Sequence, residues 1–227
     1  MLKKIINGAL GLLGKEIRSV YAPLQNFERG LVELVKVVDV DVIVDVGVAQ
    51  GTPELYKIFA DKKFLLIEAN PLFRKNVEEV SKKLNAKFEM VFCGAVHSTV
   101  PLLVPKNGRS ASIYKNEERE VEQVIQVPVE TLDSLVERNA LTGSFLLKID
   151  VEDAEMEVLS GAAETLKKTK AVIMEISFGR GSEGASTAEE KIAYMKERGF
   201  SIYNIIEGGG IREHGRLVHA DFVFIRR

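Results

Sequence analysis

Apolar and polar positions along this chain alternate between two rhythms. Short runs that are almost wholly apolar recur at 42–46 (VIVDV), 64–67 (FLLI), 145–149 (FLLKI) and 171–176 (AVIMEI). Runs this short, rich in branched residues and apolar at successive positions, predict strands buried on both faces of a parallel sheet. Between them the apolar residues follow helical spacing: Leu55, Ile58 and Phe59 in one segment, and Phe73, Val77, Val80 and Leu84 in the next. Strand followed by helix, several times over, predicts an α/β fold around a mostly parallel sheet.

Local signals mark the helix ends. Thr52-Pro53 and Asn70-Pro71 each place a capping side chain before a proline, and Thr131 is placed to cap a helix running to Asn139. Ser186 and Glu189 read as a capping box for a helix that buries Ile192 and Met195 and closes at Gly199. Residues 87–95 form a third strand ending at Gly94. Two departures follow. Strands at 99–104 and 121–129 are expected to pair as an accessory hairpin, and the polar loop between them offers Ser110, Ser112 and Tyr114 as substrate contacts. Strands at 200–206 and 220–225 have no helix between them, so the sheet is expected to close with an antiparallel pair. Residues 1–38 read as an N-terminal helical cap, interrupted at Ala22-Pro23, with a second short helix over 27–37. Residues 39–227 form the main domain.

Composition narrows the class without naming a function. Lys and Arg total 31 against 33 Asp and Glu, for a formal charge of −2 in 227 residues. That balance gives no general basic field, and a nucleic-acid partner is not expected. One cysteine, Cys93, allows no internal disulfide, so the simplest setting is a cytoplasmic one. The apolar stretch within residues 1–14 is shorter than the ~20 residues a spanning helix needs, so stable membrane insertion is not expected. Oligomeric state is not legible.

The chemistry gathers where strands end. Asp45, Glu68 and Asp150 close three of the predicted parallel strands, and ligands of open α/β sheets bind at that edge. The run from Asp45 reads Asp-x-Gly47-x-Ala49-x-Gly51. Its glycines permit a tight turn, and the helix opening at Thr52 presents free N–H groups to the same ligand. Glu68 lies 23 residues beyond Asp45, near the ~20-residue offset at which such folds place a ribose-binding acid. The Gly-x-Gly-x-x-Gly of nicotinamide sites and the Gly-Lys-Ser/Thr of triphosphate sites are both missing. The first loop is one substitution from the acid-x-Gly-x-Gly-x-Gly motif of class I S-adenosylmethionine-dependent methyltransferases.

With DVGVAQG, LLIEANP, VPVETLDSLV and above all LLKIDVEDAEMEVLSGA, residues 40–225 resemble the FkbM family of methyltransferases. The resemblance implies a Rossmann-like class I methyltransferase fold: a seven-stranded, mostly parallel sheet with an antiparallel last strand. It implies S-adenosylmethionine as cofactor. Asp45, Gly47 and Gly51 would shape the turn beside its methionine portion, and Glu68 would hold the ribose. Ala69 and Asn70 would lie near the adenosine, Cys93 and Gly94 near the adenine, and Asp150 and Glu152 closest to the methyl. Two positions depart from the family pattern. Asp153 stands where KIDVEG has its glycine, and Val48-Ala49 stand where Ala-Asn is frequent.

Methyl transfer to a hydroxyl needs in-line alignment and a proton acceptor. Asp150, Glu152 and Glu175 are the candidate catalytic carboxylates, in that order. Asp150, Glu152 and Asp153 are also hard oxygen donors of the kind Mg²⁺ or Ca²⁺ takes, although no metal is expected. His97, His214 and His219 lack zinc-ligand spacing, and His214 and His219 flank the last strand. The resemblance implies O-methylation of a small molecule or glycan. Base N-methylation is disfavoured because no Asn/Asp-Pro-Pro-aromatic segment follows the fourth strand. Two alternatives stay open: a degenerate methyltransferase fold acting as a ligand-binding or interaction module, and a nicotinamide-dependent oxidoreductase.

Overall fold

The computed structural model describes residues 26–106, 108–117, 120–178, 182–209 and 217–227. Its first strand, β1 (Val42–Val46), is buried at all five positions. Val42, Val44 and Val46 enter one apolar cluster and Ile43 the opposite one. Burial on both faces is what an uninterrupted apolar run requires, and it fixes β1 as a central strand.

Around it lie β2 (Lys63–Ile67), β3 (Lys87–Glu89), β7 (Phe145–Ile149), β8 (Thr169–Ser177), β9 (Phe200–Gly209) and β10 (His219–Arg226), in the order β3-β2-β1-β7-β8-β10-β9. β10 alone runs against the other six, pairing antiparallel with both β8 and β9. The expected mostly parallel seven-stranded sheet with a reversed closing strand is therefore present.

Helices cover both faces. α1 (Phe27–Leu34), α2 (Pro53–Ile58) and α3 (Arg74–Leu84) bury Leu31, Leu34, Leu55 and Val77 on one side. α4 (Leu132–Arg138), α5 (Glu155–Ser160), α6 (Ala163–Lys168) and α7 (Ala188–Glu197) bury Leu135, Val158, Leu166 and Met195 on the other. α1, which falls within the expected cap, shares the core of the main sheet. The helix expected before Pro23 lies outside the described residues. Among the described residues, no helix is long and apolar enough to cross a membrane.

Two local expectations are corrected. The run 87–95 is not one strand: β3 pairs with β2, and the chain then changes sheets. Its continuation, β4 (Phe92–Cys93), pairs in parallel with β6 (Val121–Glu130). Phe92 packs there with Leu102, Val127 and Val129, a third apolar cluster that a single straight strand could not reach. The accessory hairpin, β5 (Ser98–Pro105) with β6, thereby becomes a three-stranded sheet. The capping box of α7 is Thr187 and Glu190, one residue beyond the expected pair. The Thr187 hydroxyl accepts the Glu190 N–H at 3.2 Å, and the Glu190 carboxylate accepts the Thr187 N–H at 2.7 Å.

Candidate functional site

A cavity of ≈ 370 Å³ opens over the carboxyl ends of β1, β2 and β7 and is closed above by the accessory sheet. Its floor is the turn after β1. Gly47, Ala49 and Gly51 all have left-handed backbones, with φ of 85°, 45° and 95°. At Gly47 a side chain is impossible, because a Cβ would overlap the Asp150 carbonyl oxygen on the neighbouring strand. Close approach of two protein backbones, rather than of a ligand, sets this glycine.

Glu68 follows β2 directly and borders the cavity. One carboxylate oxygen accepts the Ala49 N–H and the other the Asn70 N–H, both at 2.7 Å. Burial pushes its pKa up, and those two N–H bonds pull the other way. Each oxygen keeps a lone pair for the cavity, which suits a vicinal diol that donates to both. Asn70 bonds to the Gly108 carbonyl at 2.8 Å, and Arg109 to the Gln50 side chain at 2.7 Å. The loop after β5 is thus tied across the cavity to the turn after β1. Phe92, Cys93 and Leu102 supply an apolar wall beside Asn70. Burial raises the Cys93 thiol well above its ordinary range, which leaves it a wall residue rather than a nucleophile. A carboxylate beside an apolar wall could hold a nucleoside, and Lys148 and Asp150 in the same lining could meet the charges of an amino-acid portion.

Three of the predicted cofactor and catalytic residues do not border this cavity. Asp45 lies within β1, fully buried, and its Oδ2 accepts the Tyr56 hydroxyl at 2.6 Å and the Thr52 hydroxyl at 3.2 Å. It secures α2 from behind the turn. Gly94 gives its N–H to Glu130 and packs against Val129, where a Cβ would crowd the valine at 2.7 Å. Glu175 sits on β8, 2.7 Å from the Nδ1 of His219. Ala69, Asn70, Cys93, Asp150 and Glu152 all line the cavity.

Of the loop residues, Ser110 reaches the lining. Ser112 instead donates to the Glu152 carbonyl at 2.6 Å, and Tyr114 to Glu157 at 2.7 Å, so the loop between β5 and β6 is tied by the first to the turn after β7 and by the second to α5. Glu152 and Asp153 in that turn are left-handed, at φ of 55° and 77°. A glycine is natural at the second of these positions. Asp153 is held there by Ser182, whose hydroxyl and N–H both bond its Oδ2, at 2.6 and 3.2 Å. His97 lies 2.9 Å from Glu130, away from the cavity, and His214 is outside the described residues.

Sequence reasoning overlooked Lys148. It faces Asp45 in register across β1 and β7, with Nζ 3.4 Å from Asp45 Oδ1 and 3.1 Å from Asp150 Oδ2. Burial alone would lower this ammonium, but Asp150 and Asp45 more than offset it and hold Lys148 above the usual lysine range. One charge inside FLLKI was the available signal: a lysine in a doubly buried strand needs partners.

No curated protein sequence shows significant similarity to the chain. Among solved structures it is similar to the FkbM methyltransferase of Methylobacillus flagellatus KT, with a TM-score of 0.52 at 14% identity, over 81% of this chain and 43% of that one. This chain therefore spans less than half of that protein. It is also similar to the magnesium protoporphyrin IX methyltransferase ChlM of Synechocystis PCC 6803, solved with bound SAM (TM-score 0.46, 11% identity, 99% of this chain and 97% of that one). A third match is the N-terminal domain of EvdMO1 with SAH bound (TM-score 0.48, 10% identity, 88% and 79%). Identities this low speak to the fold alone. The model of the methyltransferase FkbM domain matches residues 41–202, most of the chain. The chain belongs to the FkbM methyltransferase family, with the class I fold and S-adenosylmethionine as the family's cofactor.

Proposed function

We propose that this protein methylates a hydroxyl oxygen of a small molecule or glycan, using S-adenosylmethionine, in the cytoplasm and without a nucleic-acid partner. Bound there, the cofactor supplies an electrophilic methyl on a sulfonium. The chain's part is to grip the nucleoside, orient the acceptor and keep water out. The observation that carries this reading is Glu68, a carboxylate in the cavity lining whose two oxygens are pinned by the Ala49 and Asn70 N–H groups. The Asp153 departure gives no ground for a degenerate binding module, because Ser182 restores the turn that a glycine would adopt.

Isothermal titration with S-adenosylmethionine tests the core of the proposal. Wild type should bind, and Glu68→Gln should bind about 10- to 100-fold more weakly, the worth of hydrogen bonds to a charged acceptor. Folded wild-type protein that takes up no heat, or a Glu68→Gln variant that binds equally well, would sink it. NADH in the same cell should show no binding; a NADH isotherm would favour the oxidoreductase.

A further inference from the structure

A second cavity, of ≈ 320 Å³, opens beside the nucleoside cavity at the same edge of the sheet. The two share Gly51, Thr52, Lys148 and Asp150, and the second adds Phe27, Glu54 and Asp221 to its walls. The fold brings these three from distant parts of the chain. Phe27 opens α1, and the Glu28–Lys57 ion pair, at 3.0 Å, ties that end of the helix to α2, whose first turn carries Glu54. Asp221 comes from the reversed strand. Lys148 is level with Ile173, and Ile173 with Val223, so Asp221, two residues before Val223, shares the face of Lys148 one step nearer the carboxyl edge.

Where the cavities meet, the polar side chains are Thr52, Lys148 and Asp150. The Thr52 hydroxyl is given to Asp45 at 3.2 Å. Lys148 is an ammonium, a donor only, and it is held from behind: Asp45 Oδ1, 3.4 Å away, has no hydrogen bond of its own and relies on Lys148 for its compensation. Asp150 differs from both. Lys148 occupies its Oδ2, and among the described residues no other group bonds it, so Oδ1 is open. A ligand in one cavity and a ligand in the other therefore meet at one available carboxylate oxygen.

The charge of the second cavity selects its occupant. Leaving Asp221 aside, Asp45, Asp150 and Glu54 set three carboxylates against the single ammonium of Lys148, which two of them already engage. An anionic compound meets repulsion there. Hydroxyl groups instead find carboxylate oxygens to donate to, and the Phe27 ring offers an apolar surface to the C–H side of a sugar.

We propose that the second cavity holds the methyl acceptor, a polyhydroxylated compound without acidic groups, and that its reacting hydroxyl meets the methyl at Asp150, whose Oδ1 is the general base. The proposal rests on methyl transfer to oxygen. The acceptor oxygen bonds to the methyl carbon as the carbon–sulfur bond breaks, and the sulfur keeps that electron pair as a neutral thioether. The hydroxyl proton passes to Asp150 Oδ1 and from there to water. A protonated ether is a far stronger acid than a carboxylic acid, so a carboxylate is base enough once the new bond begins to form.

The test uses the full chain. It contains no tryptophan, so Phe27→Trp places a single indole in the wall of the second cavity. With S-adenosylhomocysteine bound, its emission should respond to methyl glycosides and not to the matching uronic acids or sugar phosphates. Transfer from tritiated S-adenosylmethionine to the glycosides, with the cofactor saturating, should fall at least ~100-fold in kcat in Asp150→Asn. Phe27→Ala should raise KM for the glycoside about 10-fold while cofactor affinity stays within about twofold, because Phe27 borders only the second cavity. Glu54→Lys should narrow the preference for neutral glycosides over uronic acids at least ~10-fold. Calorimetry separates the two levels of failure. Folded wild type that does not bind S-adenosylmethionine overturns the methyltransferase reading. With cofactor binding intact, the acceptor assignment is overturned by an emission that ignores glycosides or follows acids equally, by unchanged kcat in Asp150→Asn, by unchanged KM in Phe27→Ala, or by unchanged selectivity in Glu54→Lys.

Discussion

Two turns flank the cavity, one after β1 and one after β7, and both hold left-handed backbone, by opposite means. Gly47, Ala49 and Gly51 make the first, with Glu152 and Asp153 at the centre of the second. Left-handed backbone costs a residue with a Cβ about 1 kcal/mol or more. In the first turn that cost is largely avoided by glycine, and at Gly47 sterics leave no other choice. In the second it is offset by bonds: Ser112 holds the Glu152 carbonyl, and Ser182 holds the Asp153 carboxylate. Glycine fixes a turn from within, whereas side-chain ties fix it from its neighbours. The first turn is therefore sensitive at one residue, and the second at residues far away in sequence.

The largest effect should come from Gly47→Ala. A methyl there overlaps the Asp150 carbonyl, so β1 and β7 cannot both keep their places. Urea denaturation should show a loss above ~4 kcal/mol, the range of severe core lesions. A variant as stable as wild type would mean that the two turns are not packed as described.

Second in size is Lys191→Met, which undermines the turn after β7 from below. Glu155 accepts the Asp153 N–H at 3.2 Å, and its other oxygen pairs with Lys191 at 2.6 Å, both side chains being fully buried. Removing the ammonium strands a buried carboxylate and should cost about 3–5 kcal/mol. Burial already raises the pKa of Glu155, with Lys191 opposing it, so the loss of Lys191 raises it further. A carboxyl whose folded pKa is raised contributes most below its unfolded pKa and loses that contribution as pH rises through the folded value. The variant should accordingly be closer to wild type in mildly acid solution than at pH 8. Denaturation curves separated equally at both pH values would contradict this.

The contrast between the turns also marks what the sequence could and could not reveal. β1, β2, β7 and β8 were legible because two-sided burial demands unbroken apolar runs, and the Glu68 site because its offset from Asp45 is a property of the fold. The turn after β1 carries its explanation in its own letters, Gly-Val-Ala-Gln-Gly. The turn after β7 does not: Asp153 reads as a misplaced acid until Ser182 is brought to it, 29 residues on. His219 and Glu175 were each noticed separately, but only the reversed register of β10 makes them a pair. The break at 90–91 was hidden because Met90 and Val91 are both apolar, no turn residue marks it, and only the second sheet separates the two halves. The capping box slipped by one because Ser186-Thr187 and Glu189-Glu190 offer the same chemistry twice.

A smaller effect is expected from Ser182→Ala. Asp153 Oδ2 loses a buried hydroxyl donor and keeps the weaker N–H, a change worth about 1–3 kcal/mol. Combining it with Asp153→Gly should recover most of the loss, since glycine needs no tie to remain left-handed. A double-mutant cycle reads this as a coupling energy. Additive effects would show that Ser182 does not hold the turn.

The smallest effect has the opposite sign. Ala49 stands at the middle glycine of the first motif, at φ 45°, and its N–H is one of the two that fix Glu68. Ala49→Gly relieves the left-handed strain but loosens the unfolded chain, terms of about 1 kcal/mol each that nearly cancel. Stability should rise by less than ~1 kcal/mol or stay level, and S-adenosylmethionine affinity should change by less than about threefold, because the N–H that positions Glu68 is a backbone group that glycine keeps. A tenfold loss of affinity would instead mean that the alanine methyl itself touches the cofactor. The first turn would then owe its function to a side chain, as the second does.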